Sequence, residues 1–317
     1  MAKKKAKSRK TKSAPLSSVV SPWSRLSQEV NQSWDLRKVL IEKIEGRLKA
    51  KVIVYFTALS EEEAMISDID AEMIENILSA EHSGGKVALV LNSMGGSGLA
   101  AERIVNVCRA YSNGQFEVIV PHSAKSAATM ICFGASRIQM SCTAELGPVD
   151  PQVKYINDMG KKLWISAAEY VRSYENLMNS ATSGKAKRLE TLIQQLSRYD
   201  ARHIEQLKSA QVLSESISVK SLKSGMMSRL SEDKIREKIE PFLIQAQTIS
   251  HGRMISMNEA KKCGLKVQEI KLQSVLWHQL WELYVRASWV VLTRSLKILE
   301  SNSTSLGVPR ERRNEEE

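Results

Sequence analysis

The feature that most constrains this chain is an alternation, between residues 51 and 141, of short β-rich runs with helical stretches. KVIVYFTA (51–58) is apolar and β-branched. DIDAEMIENILSAE (68–81) places apolar residues at helical spacing behind a capping Ser67 or Asp68. KVALVLNS (86–93), EVIVPHS (117–123) and RIQMS (137–141) are further strands. LAAERIVNVCRAY (99–111) and KSAATMICFGA (125–135) are the helices between them. Nearly uninterrupted apolar strands separated by helices belong to a sheet covered on both faces. The order predicts an α/β fold with a largely parallel sheet.

The texture changes after LGPVDPQ (146–152). Residues 166–179, 187–209, 212–229 and 231–247 read as successive helices, the last opened by a capping-box-like SEDK at Ser231. SHGRMIS (250–256) breaks this run. A short helix, MNEAKKCGL, and a strand, KVQEI, follow. Residues 274–300 form one long helical pattern. The expected division is an arm over 1–34, a main domain over 35–273 with a helical insertion at about 160–248, and a C-terminal amphipathic helix with a charged tail over 274–317.

Charge and cysteine usage narrow the function classes. The chain of 317 residues carries a formal charge of +11. Residues 1–12 hold seven basic and no acidic residues, so more than half of the excess sits in one tail. Such a tail is expected to be solvated, with salt-dependent affinity for an anionic partner, nucleic acid or lipid. No run of about 20 apolar residues predicts a transmembrane segment. The four cysteines, Cys108, Cys132, Cys142 and Cys263, form no CxxC pair, and the five histidines form no HExxH. This argues against a disulfide scaffold, suits a cytoplasmic setting, and supports neither a metal nor an organic cofactor.

Three segments at strand ends, where open α/β sheets place their sites, fit together as an acyl-transfer centre. In LVLNSMGGSG (89–98), Gly95 and Gly96 let the backbone approach a ligand closely and aim N–H groups at an oxyanion. In PHSAKSAATM (121–130), Ser126 stands at the first turn of a helix, where negative charge is favoured. A plain N-cap role for Ser123 or Ser126 is the alternative. In AELGPVDPQV (144–153), Pro148 and Pro151 stiffen a loop beside the same strand ends, and Asp150 suits either the site or a local turn.

Taken together these motifs resemble the ClpP/crotonase superfamily. NSMGG (92–96) resembles its NSPGG turn, and AKSAATM the element bearing the peptidase serine. LGPVDPQ resembles the LGPIDPQ segment of the serine dehydrogenase proteinases, relatives of signal peptide peptidase A. SHGRMISMNEAKKCGLKV (250–267) resembles their distal element. The resemblance covers about 50–270. It implies a spiral of β-β-α units and a serine hydrolase acting on a peptide or protein substrate through an acyl-enzyme. It makes Ser126 the nucleophile, with Gly96, beside Gly95, and Ala127 as oxyanion donors. Met94, His122, Pro148 and Asp150 are the expected substrate-binding residues.

The loop that carries histidine in ClpP contains none here, so the general base is open. His251 and His203 have the near-neutral chemistry the role needs. Lys185 and Lys125 would need depressed pKa values. An inactive scaffold on the same fold is the rival reading. Relatives assemble into rings or stacked trimers, which implies a homo-oligomer. In the C-terminal helix, one stripe of Leu276, Leu280, Leu283, Ala287 and Val290 lies beside another of Trp277, Trp281, Tyr284 and Val291. Together they are wider than one core contact needs, so this helix is the expected subunit contact.

Overall fold

A computed structural model describes residues 34–59, 61–81, 84–156, 159–183, 189–243 and 253–310. The basic tail at 1–12, Lys185 and His251 lie outside the described residues.

Helix α1 (Trp34–Leu48) leads into strand β1 (Lys51–Thr57). The alternation then continues through α2 (Asp68–Glu81), β2 (Val87–Asn92), α3 (Gly98–Tyr111), β3 (Phe116–Val120), β4 (Ser123–Ala124), α4 (Ala127–Gly134) and β5 (Arg137–Met140). A two-residue strand β6 (Glu145–Leu146) precedes the hairpin β7 (Gln152–Ile156) and β8 (Lys162–Ser166). Next come α5 (Ala167–Thr182), α6 (Leu189–Leu196), α7 (Ala201–Ser224), α8 (Glu232–Lys238) and α9 (Glu240–Leu243). The chain closes with β9 (Ile255–Ser256), α10 (Met257–Lys262), β10 (Val267–Glu269), α11 (Val275–Thr293), β11 (Ser295–Glu300) and β12 (Ser305–Pro309).

The central sheet runs β10-β5-β3-β2-β1-β11-β12. All pairings from β10 to β1 are parallel, and the last two are antiparallel. Successive side chains of a strand point to opposite faces. Ile53 and Tyr55 of β1 therefore join Ala71, Ile74, Ile104 and Phe133 of α2, α3 and α4. Val52, Val54 and Phe56 join Ile41 and Ile44 of α1 and Leu280 and Leu283 of α11 on the other face. Both faces are closed, which is why the strands read as unbroken apolar runs. This is the mixed α/β, mostly parallel architecture the alternation predicts. A small second sheet, β4-β6-β9, runs beside the site.

Three sequence expectations change. The helical pattern over 274–300 stops at Thr293, and 295–309 is a β-hairpin. Alternation in SLKILE pairs with the otherwise bare edge of β1 through Val54–Glu300 and Thr57–Lys297. A hairpin turn at Ser301 closes it, with Ser301 N–H donating to the Thr304 carbonyl at 2.8 Å. In the second change, the break expected near 210 lies inside α7. The interruption falls at 197–200, where the Asp200 side chain accepts from Arg202 N–H and starts α7.

The third change concerns α11. Leu280, Leu283 and Ala287 are fully buried and Trp277 and Val290 nearly so, all within this one chain. The second stripe is occupied as well. Trp281 stacks between Trp277 and Tyr284, and Tyr284 stacks on His122. The width that suggested a subunit contact is explained by packing on the sheet, α1 and this aromatic column. Among the described residues, no helix is long and apolar enough to cross a membrane.

Candidate active site

The turn after β2 is stitched to the approach to Ser126. Ser93 N–H donates to the Ser123 carbonyl at 3.1 Å, and the Ser93 carbonyl accepts from Lys125 N–H at 3.0 Å. The Ser93 hydroxyl oxygen accepts from Gly95 N–H at 3.1 Å and lies 3.0 Å from the Thr57 hydroxyl. Gly95 has φ +109° and Gly96 φ +151°. A Cβ on Gly95 would lie 2.7 Å from Ser126 Cβ and 2.8 Å from the Lys125 carbonyl oxygen, so only glycine lets the two turns meet. On the outer side, Ile66 clamps the glycines. Its N–H donates to the Gly95 carbonyl, and its carbonyl accepts from Ser97 N–H, both at 2.9 Å.

Ser126 has φ +48° and ψ −121°. A non-glycine residue in such a region costs about 1–3 kcal/mol and persists only where its surroundings over-determine it. Here Ser126 N–H donates to the Pro148 carbonyl and the Ser126 carbonyl accepts from Met130 N–H, both at 3.1 Å. Thr129 fastens the same helix to the proline loop: its Oγ1 lies 2.8 Å from the Ala124 carbonyl oxygen and accepts from Gly147 N–H at 3.2 Å. Pro148 thus acts through its backbone. The Ser126 hydroxyl does not cap α4 and makes no hydrogen bond to any described residue.

Two backbone donors beside Ser126 are free. Among the described residues, the N–H groups of Gly96 and Ala127 meet no acceptor. Gly95 differs from expectation, because its N–H is held by Ser93; it serves the turn by fitting against Ser126. Fixed donors of this kind stabilise a developing oxyanion, and losing one typically costs about 2.7–4 kcal/mol of barrier.

Ser126 stands between two clefts. One of about 220 Å³ is lined by Leu99, Met130, Val149, Leu213 and Ile217 together with Gly96 and Ser126. The other, about 560 Å³, is lined by Met65, Met94, Gln152 and Trp164 together with Gly95, Gly96 and Ser126. Met94 is thereby placed in a cleft that contains Ser126. Asp150 is buried and lines a third cavity, of about 660 Å³, that shares Val149, Pro151 and Ser214 with the smallest but does not include Ser126.

The other expected side chains are elsewhere. His122 stacks on Tyr284 at 5.3 Å between ring centroids, and its Nδ1 is buried without a partner among the described residues. It belongs to the α11 side, where Tyr284 stands. His203 sits edge-on to Tyr170 in a small separate cluster. Ala210, the first α7 residue to line the small cleft, is seven residues further along, about 10 Å of helix. Lys125 is 4% exposed, with its ammonium 2.7 Å from Glu145 Oε1 and 3.3 Å from the Arg253 carbonyl oxygen. Its charge is matched there and not directed to Ser126. Among the described residues, no three His, Cys, Asp or Glu side chains gather as a metal would require.

The sequence profile of the ClpP-like SDH-type serine proteinases matches residues 27–289. The chain belongs to this family. An uncharacterized protein of Methanocaldococcus jannaschii is 38% identical over 84 residues, 26% of this chain and 29% of that protein. A second uncharacterized protein of the same organism is 32% identical over 84 residues, 26% of this chain and 28% of its own length. The chain therefore spans less than a third of either relative. Family membership supports a peptidase in general terms.

Residues that the motifs did not single out complete the site. Ile66 and Ser93 hold the glycine turn, Thr129 holds the proline loop, and Leu213 and Ile217 of α7 wall the small cleft. Ser93 and Thr129 had a local signal, their places inside NSMGG and AKSAATM. The others act across long sequence separations, which no spacing reveals.

Proposed function

We propose that the protein is a serine peptidase that cleaves peptide bonds through an acyl-enzyme on Ser126. One observation carries this reading: Ser126 is held in a strained conformation beside two backbone N–H groups that meet no acceptor among the described residues, and it lines two clefts. The Ser126 oxygen attacks the scissile carbonyl carbon, and the carbonyl oxygen becomes an anion between Gly96 N–H and Ala127 N–H. Collapse expels the amine, which takes up the proton the base drew from the hydroxyl, and a water that gives its proton to the same base then releases the acyl group. The apolar lining of the small cleft suits an apolar side chain next to the cleaved bond.

A serine hydroxyl needs a base to take its proton. His251 is the base in this reading. It lies two residues before Arg253, whose carbonyl contacts Lys125, the neighbour of Ser126. Assembly with copies of itself belongs to the proposal, through a surface other than the two stripes of α11, as does a cytoplasmic setting. An anionic partner for residues 1–12 belongs to it as well.

Labelling with a fluorophosphonate probe tests the reading. The wild-type protein should label, Ser126→Ala should not, and His251→Ala should label far more slowly. A specific observation favours the rival: the Ser126 hydroxyl has no hydrogen-bond partner among the described residues. Absence of labelling in the assembled wild-type protein would establish the inactive scaffold.

A further inference from the structure

The geometry points to Lys297 as a positioning residue for the oxyanion turn, reaching it from a C-terminal hairpin that lies beyond the family match. This rests on the Ser126 reading above and adds a part to it. The family profile ends at residue 289, and β11 begins at Ser295.

Lys297 is 3% exposed, and its ammonium lies 2.8 Å from Asp70 Oδ2, in a carboxylate that is fully buried. The same ammonium donates to the Ser67 hydroxyl at 3.0 Å. Asp70 Oδ2 also accepts from the Ser67 backbone N–H at 2.7 Å and from the Tyr55 hydroxyl at 2.8 Å. Ser67 is thus held through both its backbone and its side chain. The residue before it is Ile66, whose N–H and carbonyl clamp Gly95 and Ser97. The line runs from Lys297 through Asp70 and Ser67 to Ile66, and from there to the turn that presents Gly96 N–H to the site.

The electrostatics favour a fixed arrangement. A buried carboxylate is tolerated when it is paired and hydrogen-bonded. Asp70 Oδ2 has four donors, whereas its other oxygen has no hydrogen-bond partner among the described residues. Without Lys297 the carboxylate would be buried with no compensating charge. It would then draw in water or turn away, and Ser67 would lose its anchor.

The same strand supplies a matched control. Glu300 of β11 is buried and accepts two bonds of 2.7 Å from Arg37 of α1, on the sheet face away from the glycine turn. Breaking either pair loosens β11, but only the Lys297 pair leads to Ile66.

The test compares Lys297→Met with Arg37→Met in the full chain by hydrogen exchange and fluorophosphonate labelling. Lys297→Met should speed exchange of the Ile66 and Ser97 amides. It should also slow Ser126 labelling by on the order of 10–100-fold, the scale of sub-ångström to 1 Å misplacement. In turnover with a peptide ester, the loss should fall on kcat with KM nearly unchanged. Arg37→Met should lower stability without these local effects. Ser67→Ala, which leaves the ion pair intact, gives a milder form of the same pattern if Lys297→Met does not fold. Equal effects of the Lys297 and Arg37 variants on exchange at 66 and 97 would overturn the proposal. A wild-type protein that fails to label would refute the peptidase reading, while the exchange comparison would still decide the role of Lys297.

Discussion

Gly95→Ala probes how closely the two turns of the site depend on each other. The new Cβ would lie 2.7 Å from Ser126 Cβ, 2.8 Å from the Lys125 carbonyl oxygen and 3.0 Å from Ala127 N. Ordinary contact begins near 3.4 Å. The shortfall against Ser126 is therefore about 0.7 Å, and the atoms to be displaced are backbone and Cβ, not a flexible side-chain end. Displacement of that size at a reacting centre approaches the 1 Å that costs about 100-fold in rate, or roughly 2.7 kcal/mol of barrier. A separate penalty comes from φ +109° at an L-residue, on the order of 1–3 kcal/mol of stability. Gly114→Ala separates the two effects. Gly114 also has positive φ, +78°, but its Cβ would meet nothing within 4 Å. The assay is the fluorophosphonate labelling rate, measured below the melting temperature of each variant. Gly95→Ala should label at least tenfold more slowly than wild type, and Gly114→Ala at the wild-type rate despite reduced stability. Wild-type labelling by folded Gly95→Ala, or equal slowing in both variants, would refute the reasoning.

Two further outcomes follow from the chemistry of buried groups. Burial tends to raise the Glu81 pKa, but bonds from Lys51, Ser303, Thr304 and Ser301 outweigh it and hold the carboxyl at about 2 against the usual 4.5. A depressed pKa gives stability that is present above 4.5 and lost as pH falls toward 2. Glu81→Gln should therefore flatten the acid limb of a melting-temperature profile in that window, with the turn between β11 and β12 as the segment released; an unchanged acid limb would contradict it. Burial also pushes the Cys108 thiol up to about 12 and the Cys132 thiol higher still, whereas Cys142 is exposed. Alkylation of the native protein near neutral pH should thus modify Cys142 alone, and denaturation should release the other three, as mass spectrometry would show.

The layered fold was legible because parallel strands covered on both faces must be apolar at nearly every position. KVIVYFTA and KVALVLNS leave little choice. The glycine turn and Ser126 were legible for a related reason, since close approach of backbone tolerates only the smallest residues. The C-terminal hairpin was not legible. SLKILE continues an amphipathic helical pattern, and it becomes a strand because β1 would otherwise end the sheet with an open edge. The α11 stripes misled in the opposite sense. Their width is real, but its cause is the column of rings from Trp277 to His122.

By itself, the sequence determined the elements whose reasons are local: the alternation of strands and helices, the placement of Gly95, Gly96 and Ser126 at strand ends, and the basic tail. The tertiary structure alone decided which N–H groups are free, since Gly95 and Gly96 are adjacent and alike until Ser93 takes the donor of the first. It also decided which histidines stand apart from Ser126, and that a lysine 227 residues from Asp70 closes the anchor of Ile66. Those outcomes depend on hydrogen bonds and ion pairs between distant segments. Their partners are set by how the layers stack, a property that no window of neighbouring residues contains.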